Sequence, residues 1–355
     1  MTMRELADRP VPWLSGEGDR ADLVVSSRAR LARNLTGEVF PHRADDAGLE
    51  RIFERVRDAS RGVSRLAGAT EWALDSLPEW GRRLLMERHL VSARHVRGRG
   101  RRGVIECEEA GLALAVNEED HLRIQGVAPG LNPSSALQAT VELDRALEDT
   151  LGFAVRRDLG YLTSCPTNVG TGLRVSVLVH LPGLALTGEV KRVHQAVGEM
   201  GMTVRGWFGE GSRALGDFWQ VSNQRTLGLT EEDAVETLER VVDRVLELEL
   251  EARERAAEET ARRRRLEDRV HRSRAVLESA RMITASHAMA CASDVRLGKW
   301  LGHFEEVPWS TLNELSYRVQ PAHLGAAREE VPEPEDAEWL RARWIRRRMQ
   351  GKDGS

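Results

Sequence analysis

Three carboxylates stand in a row at Glu118, Glu119 and Asp120, flanked by Asn117 and His121 and preceded by an apolar run. At a strand end such a cluster can bind a metal, hold a cationic group or accept a proton, although a polar turn is the commoner occurrence. A second segment, Ser164 to Arg174, reads SCPTNVGTGLR. Its glycines let the backbone approach a ligand closely, and Arg174 can reach back to a phosphate. Cys165 within it is either an activated thiol or buried filler. Arg28 and Arg30 follow Ser26 and Ser27 at i and i+2. On an extended strand both guanidinium groups leave one face, a spacing suited to successive phosphates, with ordinary surface pairing as the alternative. Finally, Arg205 to Ser212 reads RGWFGEGS, a glycine loop with one acid, Glu210, which is a substrate lid or a hairpin. The four segments are chemically coherent together. Acids can hold and deprotonate a guanidinium, arginines can bind a nucleoside triphosphate, and glycine loops can bring the two together.

The elements that must position these groups follow from periodicity. Asp22 to Arg33 reads as a strand running into a turn at Thr36-Gly37 and Pro41. Helical periodicity dominates Ala47 to Leu66, Trp80 to Leu90 and Pro133 to Leu151. Val104-Ile105 and Leu112 to Val116 flank a hairpin turn at Ala110-Gly111. Leu173 to Leu181 alternates, with Leu173, Val175, Val177, Val179 and Leu181 on one face, so that Arg174 points away from the apolar side. Thr230 with Glu231, Glu232 and Asp233 forms a capping box that opens a helix carried on by Val235, Leu238, Val242 and Val245. Short strands interspersed with helices predict an α+β fold around a largely antiparallel sheet. From about Glu251 the chain becomes charged and helical, and Pro332-Glu333-Pro334 interrupts it before a last basic helix, Asp336 to Met349. A domain boundary is expected near residue 255.

Composition narrows the partners. The 355 residues carry 52 basic and 56 acidic side chains, a net charge of −4, which disfavours a general nucleic-acid binder. Only three of the basic residues are lysines, Lys191, Lys299 and Lys352, so a phosphate cradle before Lys191 must use arginine, backbone N–H groups or metal. Neither a GxxxxGK[ST] loop nor a VAIK-type lysine occurs, which disfavours P-loop and protein-kinase architectures. Cys107, Cys165 and Cys291 lack paired spacing, so neither a disulfide framework nor a zinc site is indicated. With no apolar run of about 20 residues and no secretory signal, a cytoplasmic protein without membrane partners is expected.

With these residues in view, the chain resembles the guanidino phosphotransferase family of creatine and arginine kinases. The resemblance rests on SSRAR at Ser26, NEEDHLR at Asn117, CPTNVGTGLR at Cys165, and RG followed by GEGS and SNQRTLGLTEED, in family order over roughly residues 22 to 250. ERHL at Glu87, CPTNVGTG and GEGS bring it nearest the bacterial branch that phosphorylates arginine on proteins. The early position of SSRAR leaves no room for the N-terminal helical domain of phosphagen kinases, so an open acceptor site is expected. The resemblance implies a guanidino-kinase catalytic domain over residues 1–255 and a small all-helical domain over 256–355 for dimerisation and substrate reception.

It further implies that Ser27, Arg28, Arg30, Arg123, Arg174 and Arg205 bind ATP, with Arg33 nearby. Glu119 resembles the catalytic base, Glu210 the second guanidinium-binding acid and Cys165 the active-site cysteine. Leu178 stands where phosphagen kinases have a histidine at an adenine contact. ATP and Mg2+ are the implied cofactors, and arginine-containing proteins the substrates. An activator protein, a Clp-type protease, a role in stress response and a homodimer are implied in the same way. The bacterial branch carries an RDxxRA motif that binds phosphoarginine, and here the aligned segment, Ala337 to Ala342, lacks its first arginine. A kinase for free arginine or another small guanidino compound, and a non-catalytic phosphoarginine-binding adaptor, are the alternatives.

Overall fold

A computed structural model describes residues 1–207 and 215–351. Its strands are β1 (Val24–Arg33), β2 (Thr70–Ala73), β3 (Gly103–Cys107), β4 (Leu112–Val116), β5 (Leu122–Pro129), β6 (Val155–Arg156), β7 (Gly160–Tyr161), β8 (Leu173–His180), β9 (Met202–Gly206) and β10 (Phe218–Asn223). The sheet is antiparallel with order β2-β3-β4-β5-β1-β8-β10-β9, while β6 and β7 form a separate small ribbon. Helices before and between the strands are α1 (Met3–Asp8), α2 (Asp46–Arg61), α3 (Glu79–Glu87), α4 (Ala93–Arg97), α5 (Pro133–Leu151), α6 (Pro182–Thr187) and α7 (Val190–Glu199). After the sheet come α8 (Glu231–Glu258), α9 (Thr260–Ser279), α10 (Ala285–Trp300), α11 (Trp309–Arg318), α12 (Pro321–Gly325) and α13 (Pro334–Met349).

Strand alternation gives the sheet two unlike faces. On one, Ala29 and Leu31 of β1, Ile124 of β5 and Val175, Val177 and Val179 of β8 are buried with Leu143 and Leu147 of α5 and Leu238, Val242 and Val245 of α8. Burial of these side chains contributes roughly 2 kcal/mol each. The capping box at Thr230 and Asp233 starts α8 as the sequence predicts. Gly126 of β5 shows how closely α5 approaches: a Cβ there would meet the Thr140 hydroxyl at 2.4 Å.

The other face carries the polar members of the same strands. Arg30 of β1 lies between Gln125 of β5 and Arg174 of β8, and Arg28 between Val127 and Ser176. Directly paired residues point to the same side, so Arg28, Arg30, Arg123, Gln125, Arg174, Ser176 and Leu178 share this face. It continues through Gln220 of β10 to Arg205 of β9.

Arg33 differs from the expectation that placed it near the phosphates. Three residues from Arg30, it points to the opposite side, and its fully buried guanidinium pairs with Asp144 of α5 at 2.9 Å. It also donates to the Thr171 carbonyl at 2.8 Å and lies 3.4 Å from the Tyr161 ring centre. Strand parity therefore makes Arg33 a clamp between β1, α5 and the loop before β8. Burial pushes the Asp144 carboxyl up, and Arg33 opposes that shift.

The C-terminal helices enclose a second core, in which Val295, Leu312, Tyr317 and Ile345 meet Leu178, Trp207 and Phe218 from the sheet. Buried arginines fasten this seam as well. Arg296 of α10 donates to Asn313 at 2.7 Å and to the Ala21 carbonyl. Arg253 of α8 pairs with Glu249 at 2.6 Å and donates to the His180 carbonyl at 3.2 Å. Asp144→Asn, which strands the Arg33 charge, is predicted to cost about 3 kcal/mol in urea unfolding, while Arg33→Met combined with Asp144→Leu recovers most of that loss.

Candidate active site

The acid loop between β4 and β5 owes its shape to Asn117. Its backbone is left-handed (φ 56°), a conformation asparagine tolerates, and its side-chain amide donates to the Leu49 and Arg101 carbonyls at 2.8 and 2.9 Å. The Asn117 and Glu118 amides then donate to the His121 and Asp120 carbonyls at 2.9 and 3.1 Å. This tight reversal separates the three acids. Asp120 is buried and accepts from the Asn34 amide and from the Ser164 N–H, both at 2.6 Å. It thus stitches the acid loop to the segment that presents Cys165.

Glu118 turns toward the arginine face, where Arg123 reaches it at 2.9 Å. Burial pushes its carboxyl up, but Arg123, His95, the Ser92 hydroxyl and Arg30 outweigh that and hold it below the usual range. Glu119 stands farther out, its side chain 19% exposed against 4% for Glu118. It meets Arg123 at 3.7 Å on one side and Arg94 of α4 at 3.1 Å on the other. Only Glu119 of the three is thus placed to meet a ligand arriving from solvent.

The loop entering β8 is held from β10 outward. The Thr226 hydroxyl donates to the Thr167 and Val169 carbonyls at 2.9 and 2.7 Å. Gly170 adopts φ 114°, and a Cβ there would meet the Thr226 carbonyl oxygen at 2.2 Å, so glycine is required. The Cys165 thiol is partly exposed and lies 3.0 Å from the Thr167 hydroxyl. Ser27 is buried, and its hydroxyl donates to the Gly130 carbonyl at 2.8 Å and accepts from the Asn132 N–H at 2.9 Å. Its contribution is to fix β1 against the start of α5.

Like charges dominate the face itself. Burial, then the charges of Arg123 and Arg174, pushes the Arg28 guanidinium down to about 10. Burial and the neighbouring Arg28, Arg123 and Arg174 push Arg30 well below its ordinary value, with Glu118 opposing. Nε of both Arg28 and Arg30 is buried without a hydrogen-bond partner. Guanidinium groups held together against their repulsion are an anion site in waiting, and a polyphosphate supplies the missing charge. Arg205 lies on the same face, whereas Glu210 and Ser212 fall outside the described residues. Among the described residues no group of three His, Cys, Asp or Glu side chains is arranged to hold a metal ion.

One residue had no role in the sequence reading. His89, with a left-handed backbone (φ 56°), lines a small cleft with Arg28, Ser176, Leu178, Gln220, Trp13 and Trp207. Burial, then Arg28 and Arg30, pushes its imidazole down to about 3, so it is neutral. Rings continue from it through Trp13 and Tyr317 to His323 of α12, with centroid separations of 6.1, 6.2 and 4.6 Å. The sequence places His89 beside neither the glycine loop nor the acids, and only the packing of its segment over β1 brings it there. In the C-terminal helices Arg341 is buried and donates to the Val319 and Ile283 carbonyls at 2.7 and 2.8 Å. Beside it lies a cavity of about 690 Å3 whose charged lining includes Glu79, Glu333, Glu338 and Arg83.

Comparison with known proteins shows the family and the fold. Residues 51–252 match the description "ATP:guanido phosphotransferase, C-terminal catalytic domain", and residues 263–354 match "Protein-arginine kinase McsB C-terminal domain". Among solved structures, the duplicated taurocyamine kinase of Schistosoma mansoni with bound transition-state-analogue components superposes with a TM-score of 0.59 at 26% identity, covering 64% of this chain and 33% of that one. Lombricine kinase superposes with a TM-score of 0.58 at 24% identity, over 69% and 70% of the two chains, a likeness of fold. The chain belongs to the ATP:guanido phosphotransferase family.

Within that family it falls among the protein-arginine kinases. The protein of that name from Pelotomaculum thermopropionicum is 40% identical over 353 residues, 98% of both chains. That from Halothermothrix orenii is 38% identical over 350 residues, 98% of this chain and 99% of the relative.

The repulsion within the arginine face carries its own prediction. Inorganic tripolyphosphate is expected to raise the thermal midpoint of the protein. Arg30→Gln weakens that binding about tenfold without lowering the midpoint of the ligand-free protein, because one of the mutually repelling charges is gone. Calorimetric titration and thermal unfolding check both halves.

Proposed function

We propose that the enzyme transfers the γ-phosphoryl group of MgATP to the guanidinium groups of arginine side chains in proteins. The observation that carries this is the adjacency of two opposite sites: a face of mutually repelling arginines, and beside it Glu119, an outward carboxylate already engaged with guanidinium groups. Kinship over nearly the full length with protein-arginine kinases supports the choice of a polypeptide acceptor.

Arg28, Arg30, Arg123, Arg174 and Arg205 receive the phosphates, and their fixed positive charge offsets the charge that spreads over the phosphoryl oxygens during transfer. Mg2+ travels with the nucleotide, bound by phosphate oxygens and water, and the arginine face needs no carboxylate cage for it. Leu178, Trp207 and His89 wall the cleft beside Arg28 and take the base end of the nucleotide. Glu119 accepts hydrogen bonds from the acceptor guanidinium and orients one nitrogen toward the γ-phosphorus. As the N–P bond forms and the bond from phosphorus to the ADP oxygen breaks, the proton leaving nitrogen passes to Glu119. A guanidinium pKa above 12 makes that coupling necessary. Glu210 is assigned as a second acid on the acceptor and Cys165 as the active-site cysteine beside the reacting nitrogen.

Residues 256–355 are assigned as a helical domain for dimerisation and substrate reception. Marking of proteins for a Clp-type protease under stress, an activator protein and a cytoplasmic location belong to the same proposal. Among the described residues no helix is long and apolar enough to cross a membrane.

The test is incubation of the protein with MgATP and an unfolded arginine-containing protein, work-up at neutral or mildly basic pH, and mapping of phosphorylated residues by mass spectrometry. Phosphoarginine on the acceptor is expected; product with free arginine alone overturns the choice of acceptor. Glu119→Gln is predicted to keep nucleotide affinity within about twofold while lowering kcat at least ~100-fold, in the range of a lost general base. Unchanged turnover by this variant removes Glu119 from its role.

A further inference from the structure

Glu119 is not idle in the absence of substrate. Its Oε1 accepts from Nη1 of Arg94 at 3.1 Å, on the side away from Arg123. Arg94 is the second residue of α4, and that helix is fastened to the acid loop. The Ser92 hydroxyl caps it by accepting from the His95 N–H at 3.1 Å and donates to Glu118. His95 in turn donates from Nε2 to the Val116 carbonyl at 2.9 Å. Burial pushes the His95 imidazole down to about 4, and Nε2–H can donate to the carbonyl in either protonation state. The backbone that bears Arg94 is therefore fixed over the acids, while its side chain remains 65% exposed.

These contacts place a guanidinium of the chain itself where the proposed reaction needs the guanidinium of a substrate. Arg123 occupies the inner side of Glu119, toward the phosphate-binding face, and Arg94 the outer side, toward solvent. We propose that Arg94 is an internal occupant of the acceptor position, which an incoming arginine must displace from Glu119, and that this competition sets the affinity for acceptor arginines.

The energetics suit a placeholder. With its guanidinium 65% exposed to screening water, the pair is weak and biases the site without closing it. An arginine on an extended substrate brings the same guanidinium group together with further backbone contacts, and it wins when those contacts are made. Weak or poorly presented guanidinium groups are excluded. Lysine at position 94 keeps a charge there but loses the planar fork that imitates the acceptor.

The inference rests on Glu119 being the acceptor-binding acid, and the experiment separates the two claims. Arg94→Met in the full-length protein is assayed with an arginine-containing peptide and MgATP, each varied in turn. The KM for the peptide is expected to fall roughly twofold to fivefold, the range that removal of so weak a competitor allows, with the KM for ATP and kcat each within about twofold. Arg94→Lys is expected to fall between Arg94→Met and the unaltered protein. Loss of a merely structural pair lowers the thermal midpoint or raises KM; it does not tighten acceptor binding. An unchanged or raised peptide KM in Arg94→Met, with the unaltered protein active, overturns the placeholder and leaves the proposed reaction standing. If the unaltered protein makes no phosphoarginine on any acceptor, the proposed reaction falls and the placeholder with it.

Discussion

The repulsion among guanidinium groups on one face of the sheet is the constraint around which the molecule is organised. Arg123 and Arg174 depress the proton affinity of Arg28, and these three that of Arg30, and Nε of the two central groups has no partner. Such an arrangement costs stability in the ligand-free protein and must be supported elsewhere. The support lies directly beneath it, where the alternate residues of the same strands pack against α5 and α8. One face supplies the stability that lets the other stay strained.

The same residue type serves as support and as site. Arg33, Arg253 and Arg296 are fully buried and bridge elements far apart in the chain through carbonyl oxygens and carboxylates. At the seams between β1, α5, α8 and the C-terminal helices, acceptors on each of these three offset part of the cost of burying a charge. Arg33 meets Asp144, Ala32 and Thr171. On the opposite face the guanidinium groups lie beside one another, with Glu118 as the carboxylate turned toward them.

The C-terminal helices are joined to the reactive face rather than appended to it. Glu87, at the end of α3, accepts from the Ala322 and His323 backbone amides at 2.9 and 3.0 Å and pairs with the His323 ring at 2.9 Å. Two residues on, His89 lines the cleft beside Arg28. Between them, Arg88 donates to the Leu6 carbonyl at 2.7 Å and pairs with Glu108. Three consecutive side chains thus bind the helical part, the N-terminal segment and the cleft beside Arg28, so the position of His89 depends on the docking of α12.

Much of this was legible in the sequence because it is local. The i, i+2 spacing of Arg28 and Arg30 put both on one strand face, the alternation of β8 turned Arg174 outward, and Pro133–Leu151 and the Thr230 cap marked the helices that support them. What the tertiary structure decided are facts of long range. Arg33 obeys the same parity rule, yet its role follows from Asp144, 111 residues away. Glu118, Glu119 and Asp120 read as one acidic cluster, and only the left-handed turn at Asn117 and the partners Arg123, Arg94 and Ser164 give the three acids different work. His89, read only as part of ERHL, and Arg94, on the five-residue α4, had no periodicity that announced their neighbours. Sequence determines which way a side chain leaves its own strand or helix; which groups it meets depends on how distant elements pack, and that is set by the whole core.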